Sequence, residues 1–580
     1  MSKSYQAIRP SQFITTFGPG SIVETPSGPV VFKSMATLFD EIKRRPNEFE
    51  IIDERLSKGV LDGAKISRIP TNAEIGMGDA YSIYPTEPLP FWGLCAHHNK
   101  YQVLYAIGDG CPECPQMAGW KRREKGGKEA IRFVAACEAG HLDEVPWSAV
   151  VHGRSEPCKS KSFRWYGGGR ALRLVRIFCP KCKAEENFGA AYGRNWKCSA
   201  RQPEIGRRPA NSTCSKPAKI VQRGSANLRI ANLVTALTIL DVPARLHDVL
   251  SGGDLLSSAR TLQSVNLLTK EHLLTQAKNA GLSDDAVDYL NRTAWSEILS
   301  ALDQLLDAHP VGADRVRDAE LERLRDAATY GAPVLTEAGD HAQVPLFEVK
   351  KDGVRFVQGP NERMTFRVTP VSRLRMVMVQ TGYRRLTPST SHLISTEFKA
   401  NAVTWFPGVE LFGEGIFIDF AHDPLDLSGS RSAVWQRRYE NGEPEDLVSH
   451  PSHVWWHSLS HRLLWALSVD SGYSSAAIRE RVYVQVEDGQ SVRSGLLLYT
   501  VQPGGDGTLG GLISLVNRFR RVLSRALEDV DTCSNDPLCE EAPHSGAQGA
   551  ACYSCLFASE TSCEHRNHGL DRLVLAANLP

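Results

Sequence analysis

The cysteines of this sequence fall into two groups whose spacing is that of metal ligands. Nine of the 14 cysteines lie between Cys95 and Cys214 and five lie between Cys533 and Cys563, while residues 215–532 contain none. Cysteine thiolates and histidine nitrogens are the usual ligands of structural Zn²⁺. A disulfide scaffold would need a higher density of cysteines over 580 residues, so the clustering favours metal ligation. We therefore predict two separate zinc-binding regions.

The first region opens with the spacing of a zinc ribbon. Cys95 and His98 form a C-x2-H pair, and Cys111 and Cys114 form a C-x2-C pair after twelve further residues. Two short knuckles that each present two ligands can hold a tetrahedral Zn²⁺. His97 is an alternative to His98 in this set.

A second set follows in the same region. Cys179 and Cys182 form another C-x2-C knuckle, and Cys198 and Cys214 follow at equal intervals of 15 residues. Other candidates lie between the two sets, and they could close a third site, lend a ligand to a neighbour, or be a buried thiol and a hydrogen-bonded histidine. These candidates are Cys137, His141, His152 and Cys158.

In the C-terminal region five cysteines compete for four places. The knuckle formed by Cys552 and Cys555 needs a partner on each side, so we expect Cys539 and Cys563 to complete the set, with Cys533 as the spare. A closed four-cysteine site is structural and offers no open position for catalysis. Together the sets predict two to three Zn²⁺ per chain.

Three histidines give the best sign of an enzyme. His453, His457 and His461 recur every four residues and would line one face of a helix, where Glu480 or Asp470 could join them in a hydrolytic metal site. The glutamate that a zincin needs beside its first histidine is absent. Flanking tryptophans and leucines favour burial of this helix in a core.

Charge is divided sharply along the chain. Residues 154–223 hold 17 Lys/Arg and 4 Asp/Glu, whereas residues 248–340 hold 8 Lys/Arg and 16 Asp/Glu. Cations neutralise phosphates and interleaved aromatic rings stack on unpaired bases, so the basic stretch predicts a contact with DNA that is single-stranded or partly unpaired. Alternatively, the aromatics pack the zinc module while the cations are solvated or meet an acidic protein. The predicted nucleic-acid-binding residues are Arg164, Trp165, Arg170, Arg173, Arg176 and Lys181, with Arg518, Arg521 and Arg525 on one side of the last amphipathic helix.

The elements that must position these residues suggest several domains. A length of 580 residues exceeds one domain of about 100 to 200 residues, and 42% hydrophobic and 23% charged residues exclude a disordered, collagen-like or coiled-coil chain. Apolar residues at three-to-four spacing predict helices in the acidic stretch, and short β-branched runs predict strands over residues 345–420. We expect an α+β multidomain protein with five segments: an N-terminal α/β segment (1–94), a basic zinc-ribbon-like cysteine module (95–225), an acidic helical region (226–342), a mixed α/β core (343–530) and a C-terminal four-cysteine zinc module (531–580).

Several longer strings together resemble one known family. They run from residue 9 to about residue 572, and they include RPSQFITTFGPGSIVET, CEAGHLDEVPW, VSRLRMVMVQTGYRRLTP, HSLSHRLLWALSVDSGYSSAAIRERVY and ACYSCL…SCEHRNHGLDR. This ordered set resembles the B subunits of bacterial DISARM antiphage defence systems, which carry the helicase-associated Domain of Unknown Function 1998. The resemblance implies a non-catalytic, zinc-bearing subunit that pairs with a separate DrmA-like helicase of superfamily 2 and helps it to engage DNA. The family's cysteine motif maps onto Cys539, Cys552, Cys555 and Cys563.

The sequence lacks several motifs that would indicate other classes of protein. It contains no G-x-x-x-x-G-K-[ST] phosphate loop, no apolar stretch near 18 residues and no secretory leader, so we expect a cytoplasmic protein that has no motor of its own and does not meet a membrane. The alternative function is a metal-dependent hydrolase or nuclease that uses the three histidines. A stand-alone DNA-binding regulator is a third hypothesis, disfavoured because no helix-turn-helix is recognisable.

Overall fold

A computed structural model describes residues 8–78, 81–114, 130–153, 158–167, 171–206, 213–238, 244–252, 254–306, 313–331, 346–387, 390–422, 425–442, 449–502, 510–541, 549–559 and 561–580. Helices and strands both occur in quantity, and four-ligand cysteine clusters lie in the N-terminal and C-terminal parts of the chain. The predicted α+β multidomain class is therefore confirmed. Within these ranges, no helix combines the length and the apolar character needed to span a bilayer.

Most strands before residue 230 have five residues or fewer, whereas several later strands are much longer. The strands are β1 (Ile22–Thr25), β2 (Gly28–Phe32), β3 (Glu50–Ile51), β4 (Lys65–Arg68), β5 (Thr86–Pro88), β6 (Trp92–Cys95), β7 (Gln102–Ala106), β8 (Phe133–Cys137), β9 (Leu142–Asp143), β10 (Ser162–Tyr166), β11 (Arg176–Phe178), β12 (Glu185–Asn187), β13 (Asn195–Trp196), β14 (Ala218–Gln222), β15 (Ile230–Thr238), β16 (Glu348–Val349), β17 (Arg355–Gln358), β18 (Thr365–Arg384), β19 (Ile394–Ser395), β20 (Phe398–Ala400), β21 (Val403–Phe420), β22 (Arg479–Glu487) and β23 (Gln490–Gln502).

The helices are concentrated after residue 244. They are α1 (Pro10–Thr15), α2 (Met35–Ile42), α3 (Glu54–Gly59), α4 (Trp147–His152), α5 (Phe188–Tyr192), α6 (Ala244–Ser251), α7 (Leu255–Ser264), α8 (Lys270–Asn279), α9 (Asp284–Arg292), α10 (Trp295–Leu306), α11 (Ala313–Tyr330), α12 (Ser430–Glu440), α13 (Pro451–Ser471), α14 (Phe519–Leu527) and α15 (Arg572–Ala577).

The chain divides into two compact units. The N-terminal unit comprises residues 1–51, 64–234 and 378–409, and the C-terminal unit comprises residues 52–63, 235–377 and 410–580. This division into two units does not test the five segments that were predicted from composition and cysteine placement, and they stay a prediction.

The N-terminal unit is built from small antiparallel sheets. Their strand orders are β1-β2-β5, β12-β11-β10-β7-β6 and β13-β14-β8-β9. An aromatic core joins the last two sheets: the rings of Trp165 and Phe188 lie 4.9 Å apart, and those of Phe133 and Phe188 lie 4.7 Å apart. Strands this short bury little apolar surface, so cross-links between the loops are needed to fix them.

The C-terminal unit has a larger core around α13. This helix begins after His450, with Pro451 in its first turn, and ends at Gly472, whose φ of +79° suits a glycine C-cap. Its sequence is apolar on nearly every side, which is typical of a central helix. Trp455 and Trp456 are fully buried in a core that α13 shares with the paired strands β21, β23 and β22.

The acidic stretch folds into helices, as its periodicity predicted. Helices α6 to α10 share a separate core of leucine, isoleucine and alanine side chains, and α11 follows them. Arg481 on β22 is buried and its guanidinium donates to the Glu320 carboxylate on α11 at 2.7 and 3.0 Å. Because side chains alternate along a strand, the neighbouring Glu480 points the other way, towards α13.

Candidate metal centres and a basic surface

Among the residues that the structure describes, five clusters of potential metal ligands together contain all 14 cysteines. In each cluster four ligand atoms, one from each residue, lie within 4.8 Å of one another, and every thiol is free of disulfide bonding. Such convergence of thiols and imidazoles is the arrangement of a tetrahedral zinc site. Three clusters lie in the N-terminal unit and two in the C-terminal unit.

The ribbon cluster consists of Cys95, His98, Cys111 and Cys114, which is the set predicted from the sequence. The thiols of Cys95 and Cys114 are 3.5 Å apart, and His98 Nε2 lies 3.4 Å from the Cys111 thiol. Cys95 ends β6, and the other three residues lie in the turns on either side of β7. The structure brings these residues together as predicted, with His98 and not His97 in the cluster.

The hairpin cluster consists of Cys137, His141, Cys198 and Cys214. His141 Nδ1 lies 3.3 Å from the Cys137 thiol and 3.5 Å from the Cys198 thiol. The tight turn between β8 and β9 places the histidine, and Gly140 adopts a φ of +90° there. The two candidates that the sequence left open in CEAGHLDEVPW are therefore neighbours of Cys198 and Cys214.

The knuckle cluster consists of His152, Cys158, Cys179 and Cys182. The thiols of Cys158 and Cys179 are 3.8 Å apart. Burial acts to raise the pKa of Cys179, but the backbone N–H of Cys182 and the ring of His152 outweigh it and lower that pKa to about 6. A thiolate is thus favoured at neutral pH, and the thiolate is the form that binds metal.

These two clusters correct the second predicted set. The structure does not place Cys179 and Cys182 beside Cys198 and Cys214; each pair joins a different Cys/His pair instead. The equal spacing of these cysteines along the chain suggested one site, but β11 and the antiparallel pair β13–β14 belong to different sheets.

The four-cysteine cluster consists of Cys533, Cys539, Cys552 and Cys555. The thiols of Cys533 and Cys552 are 3.5 Å apart, and those of Cys539 and Cys555 are 3.7 Å apart. Burial acts to raise the pKa of Cys552, but the backbone N–H of Ser554 and hydrogen bonds from neighbouring thiols lower it to about 7. The predicted set is corrected at one position: Cys533, expected to be the spare, belongs here, and Cys563 does not.

The histidine cluster consists of His457, His461, Glu480 and Cys563, and it lies in the core of the C-terminal unit. His457 Nε2 is 2.8 Å from Glu480 Oε1 and 3.3 Å from the Cys563 thiol. His453 is outside the cluster, since its Nε2 instead lies 3.3 Å from His565 Nε2. The three histidines predicted on one helix face therefore do not form a single site.

Some of the basic residues that were predicted to bind nucleic acid are exposed in the structure. Arg173, Arg176 and Lys181 are exposed, and Lys181 sits within the Cys179–Cys182 knuckle. Arg176 makes a solvent-exposed ion pair of 3.1 Å with Glu185, and such pairs contribute little free energy. Arg170 lies outside the described residues.

Arg164 and Trp165 have structural partners. Arg164 donates to the Glu113 carboxylate at 3.1 Å and lies 4.7 Å from the Tyr101 ring centroid. Trp165 is only 6% exposed and packs against Trp147 and other rings of the core. The ring of Trp165 is therefore covered by other core side chains in this fold, and its predicted stacking on a base stays a prediction.

The second basic row lies beside α14. Arg518 and Arg521 are exposed, whereas the Arg525 guanidinium pairs with the Asp470 carboxylate at 3.0 Å. Arg525 thus has a protein partner and only the first two arginines are open to a phosphate.

Comparison with known proteins supports the resemblance seen in the sequence. The chain is 28% identical over 544 residues to the DISARM protein DrmB of Bacillus paralicheniformis (strain ATCC 9945a / NCIMB 11709 / CD-2), which covers 85% of this chain and 89% of that protein. Residues 9–230 match a domain of unknown function, DUF8724, and residues 459–556 match the MrfA Zn-binding domain. Among solved structures, the crystal structure of the DUF1998 helicase MrfA bound to DNA has 12% identity and a TM-score of 0.21 over 38% of this chain and 24% of that one. That structural likeness is too weak to carry an argument.

The matches confirm two predictions. The predicted resemblance to DISARM B subunits is confirmed by the similarity to DrmB. The predicted zinc cofactor is confirmed by the Zn-binding domain, whose range contains all four cysteines of the four-cysteine cluster. The clusters provide enough ligands for the predicted two to three Zn²⁺ per chain.

Proposed function

We propose that this chain is a zinc-stabilised, non-catalytic subunit of a DISARM-type antiphage system that binds DNA and partners a DrmA-like superfamily 2 helicase in the cytoplasm. The observation that carries the proposal is the similarity to the DISARM protein DrmB, which extends over 85% of the chain. A match of this extent relates most of the chain to one defence protein, whereas a match to an isolated zinc module would not.

Zinc has a structural role in this proposal. The ribbon, hairpin and knuckle clusters each offer three thiols and one imidazole, and the four-cysteine cluster offers four thiols. A Zn²⁺ held by four protein ligands has no open position for a water or a substrate. The proposed site ligands are therefore scaffold residues, and the clusters can take more ions than the two to three expected from the sequence.

The proposed DNA surface lies on the zinc-bound part of the N-terminal unit. Arg173, Arg176 and Lys181 are exposed; the two arginines precede the Cys179–Cys182 knuckle in sequence and Lys181 lies within it, in a stretch of residues 154–223 whose net charge is +13. Cations that are fixed near one another can replace the counterions of a phosphate backbone. Trp165 is buried, so the contact we propose is chiefly with phosphates and gives little sequence preference.

Arg518 and Arg521 form a second, smaller contact in this proposal. They lie at the start of α14, in the C-terminal unit, and are exposed. We assign them to the phosphate backbone of the same partner, with Arg525 contributing less because of its pairing with Asp470.

The hydrolase alternative has less support. A hydrolytic metal needs an open coordination position and access for water. His457 and Glu480 are fully buried, and His461 and Cys563 are 4% exposed. His453 contacts His565 and would not complete the site.

Co-purification tests the proposed partnership. The tagged chain, co-expressed with a DrmA-like helicase from the same genome, should retain the helicase through affinity and size-exclusion steps. Cys555→Ser should lose the helicase or become insoluble, because it removes a ligand from the four-cysteine cluster. Tyr553→Ala is the matched control, since Tyr553 is 89% exposed in the same module and is not a ligand. Parent protein that never retains the helicase would contradict the partnership.

Catalytic silence is tested on the isolated chain. It should neither hydrolyse ATP nor cut DNA with Mg²⁺ or Mn²⁺. Cleavage that is lost in His457→Ala and kept in His453→Ala would favour the hydrolase instead.

A further inference from the structure

We propose that His457, His461, Glu480 and Cys563 form a separate metal site that holds one Zn²⁺ in closed four-ligand coordination inside the C-terminal unit. The two histidines lie one turn apart on α13, Glu480 lies on β22, and Cys563 lies in the loop before α15. The site thus joins the central helix, a sheet strand and the C-terminal loop. The inference does not depend on a DNA or helicase partner.

The spacing of the four donors fits the ion. Bonds of about 2.0 to 2.3 Å place the ligand atoms of a tetrahedral zinc roughly 3.3 to 3.8 Å apart. His457 Nε2 is 3.3 Å from the Cys563 thiol, and His461 Nε2 is 3.4 Å from Glu480 Oε1. The contact of His457 with Glu480, at 2.8 Å, needs to open by only about half an ångström to match those bond lengths.

The outer contacts fix the histidines as ligands. His457 Nδ1 lies 3.3 Å from the Gly569 carbonyl oxygen, and His461 Nδ1 lies 2.7 Å from the Leu556 carbonyl oxygen. A carbonyl only accepts, so Nδ1 carries the proton and a neutral ring turns its Nε2 lone pair towards Glu480. Two lone pairs then face a carboxylate, an arrangement that becomes favourable when a metal ion lies between them or when each Nε2 carries a proton. Ring N–H groups that donate to backbone carbonyls are the usual outer shell of metal-bound histidines.

The two acidic ligands, Cys563 and Glu480, also accept hydrogen bonds from neighbouring groups. The backbone N–H of Asn567 donates to the Cys563 thiol at 3.2 Å, which stabilises a thiolate. The Ser460 hydroxyl donates to Glu480 Oε2 and leaves Oε1 for the metal. A carboxylate and a thiolate carry two negative charges, which one Zn²⁺ neutralises in a place where unpaired charge is costly.

The ligand set also identifies the ion and the kind of site. Imidazole, thiolate and carboxylate together suit zinc better than magnesium or calcium, which bind oxygen ligands. The four side chains are at most 4% exposed, so the site is closed to solvent. His457 and Cys563 lie outside residues 459–556, so the match to a Zn-binding domain does not account for this set.

Zinc counting on ligand variants tests the site. Full-length Cys563→Ala and His461→Ala should each contain one Zn²⁺ per chain fewer than the parent by elemental analysis. His453→Ala is the matched control, since it removes an imidazole one turn away on α13 and should leave the zinc content unchanged. Equal zinc in the two ligand variants and the parent would overturn the site, and loss of a different metal in place of zinc would overturn the assignment to zinc.

A measurement on the unaltered chain covers the case in which the variants do not fold. Protein loaded with ¹¹³Cd²⁺ should give one resonance at markedly higher field than the rest, because this site has one sulfur ligand and the other four clusters have three or four. Spectra that contain only resonances of sites with three or four sulfurs would overturn the proposal.

Discussion

The three clusters of the N-terminal unit and the histidine cluster of the C-terminal unit lie in different surroundings. The N-terminal unit has three clusters among strands of five residues or fewer, and one of its ligands, Cys182, is exposed. The histidine cluster of the C-terminal unit joins α13 and β22, two elements that both contribute to a large apolar core, and its four side chains are at most 4% exposed. Zinc therefore supports short strands around a small aromatic core in the first unit, whereas at the histidine cluster it adds to a larger core that apolar burial already provides.

Removal of zinc should have the largest effect, and it should be unequal between the units. Structural zinc contributes roughly 10 to 16 kcal/mol of apparent binding free energy at neutral pH, and the N-terminal unit has three clusters that connect the loops between its short strands. After treatment with a chelator, limited proteolysis read by mass spectrometry should cut within residues 95–222 well before residues 451–502. Simultaneous cleavage of both regions would remove the distinction between the units.

Truncation of the N-terminal core should come next in size. Trp165→Ala removes a buried indole and should lower the free energy of unfolding by about 3 to 5 kcal/mol, as large-to-small core substitutions do. The thermal unfolding midpoint measures this loss. Tyr81→Ala is the control, because Tyr81 is 68% exposed in the same unit. If Trp165→Ala is as stable as the parent but binds DNA less tightly, the indole is a base-stacking residue after all.

Replacement of the buried carboxyl of Glu144 should have the smallest effect, and the direction in which this effect changes with pH can be predicted. Burial raises the pKa of Glu144 to about 7, although the Phe91 N–H donates to it and opposes the shift. The folded chain holds this proton more tightly than the unfolded chain, so stability is lost as pH rises from about 4.5 to 7. Glu144→Gln should remove that loss, which amounts to at most about 3 kcal/mol above pH 7.

The difference in thermal stability between the parent protein and Glu144→Gln should therefore increase with pH. Thermal unfolding midpoints at pH 6 and pH 8 should show a wider gap in favour of Glu144→Gln at pH 8. A gap that stays constant or narrows would contradict the raised pKa.

Local spacing predicted all four residues of the ribbon cluster and three of the four residues of the four-cysteine cluster. The ribbon cluster was predicted because Cys95, His98, Cys111 and Cys114 flank one short strand. The partition of Cys179, Cys182, Cys198 and Cys214 could not be predicted, because separate sheets bring distant residues to each pair. The helices of the acidic stretch and the strands after residue 345 were predictable, since their periodicity is regular and local.

Contacts between residues far apart in the sequence explain the other differences between the predicted and the observed sites. Cys563 lies eight residues after Cys555, yet its thiol is 3.3 Å from His457, 106 residues earlier. Burial separated Trp165 from the basic residues that surround it in sequence, because alternate residues of β10 face the core. A pattern of alternating cations and rings does not distinguish stacking residues from core residues, so this choice required the fold.

The salt dependence of DNA binding tests the central claim most directly. Full-length parent protein and the triple variant Arg173→Ala, Arg176→Ala, Lys181→Ala would be titrated with labelled single-stranded DNA over a range of salt concentrations. Each neutralised phosphate contributes about −0.7 to the slope of log K against log salt, so the triple variant should show a slope shallower by up to about 2 units. A control that removes Lys278, Arg292 and Lys350, three exposed cations of the C-terminal unit, should keep the parent slope. A triple variant with the affinity and slope of the parent would contradict a DNA contact on this surface.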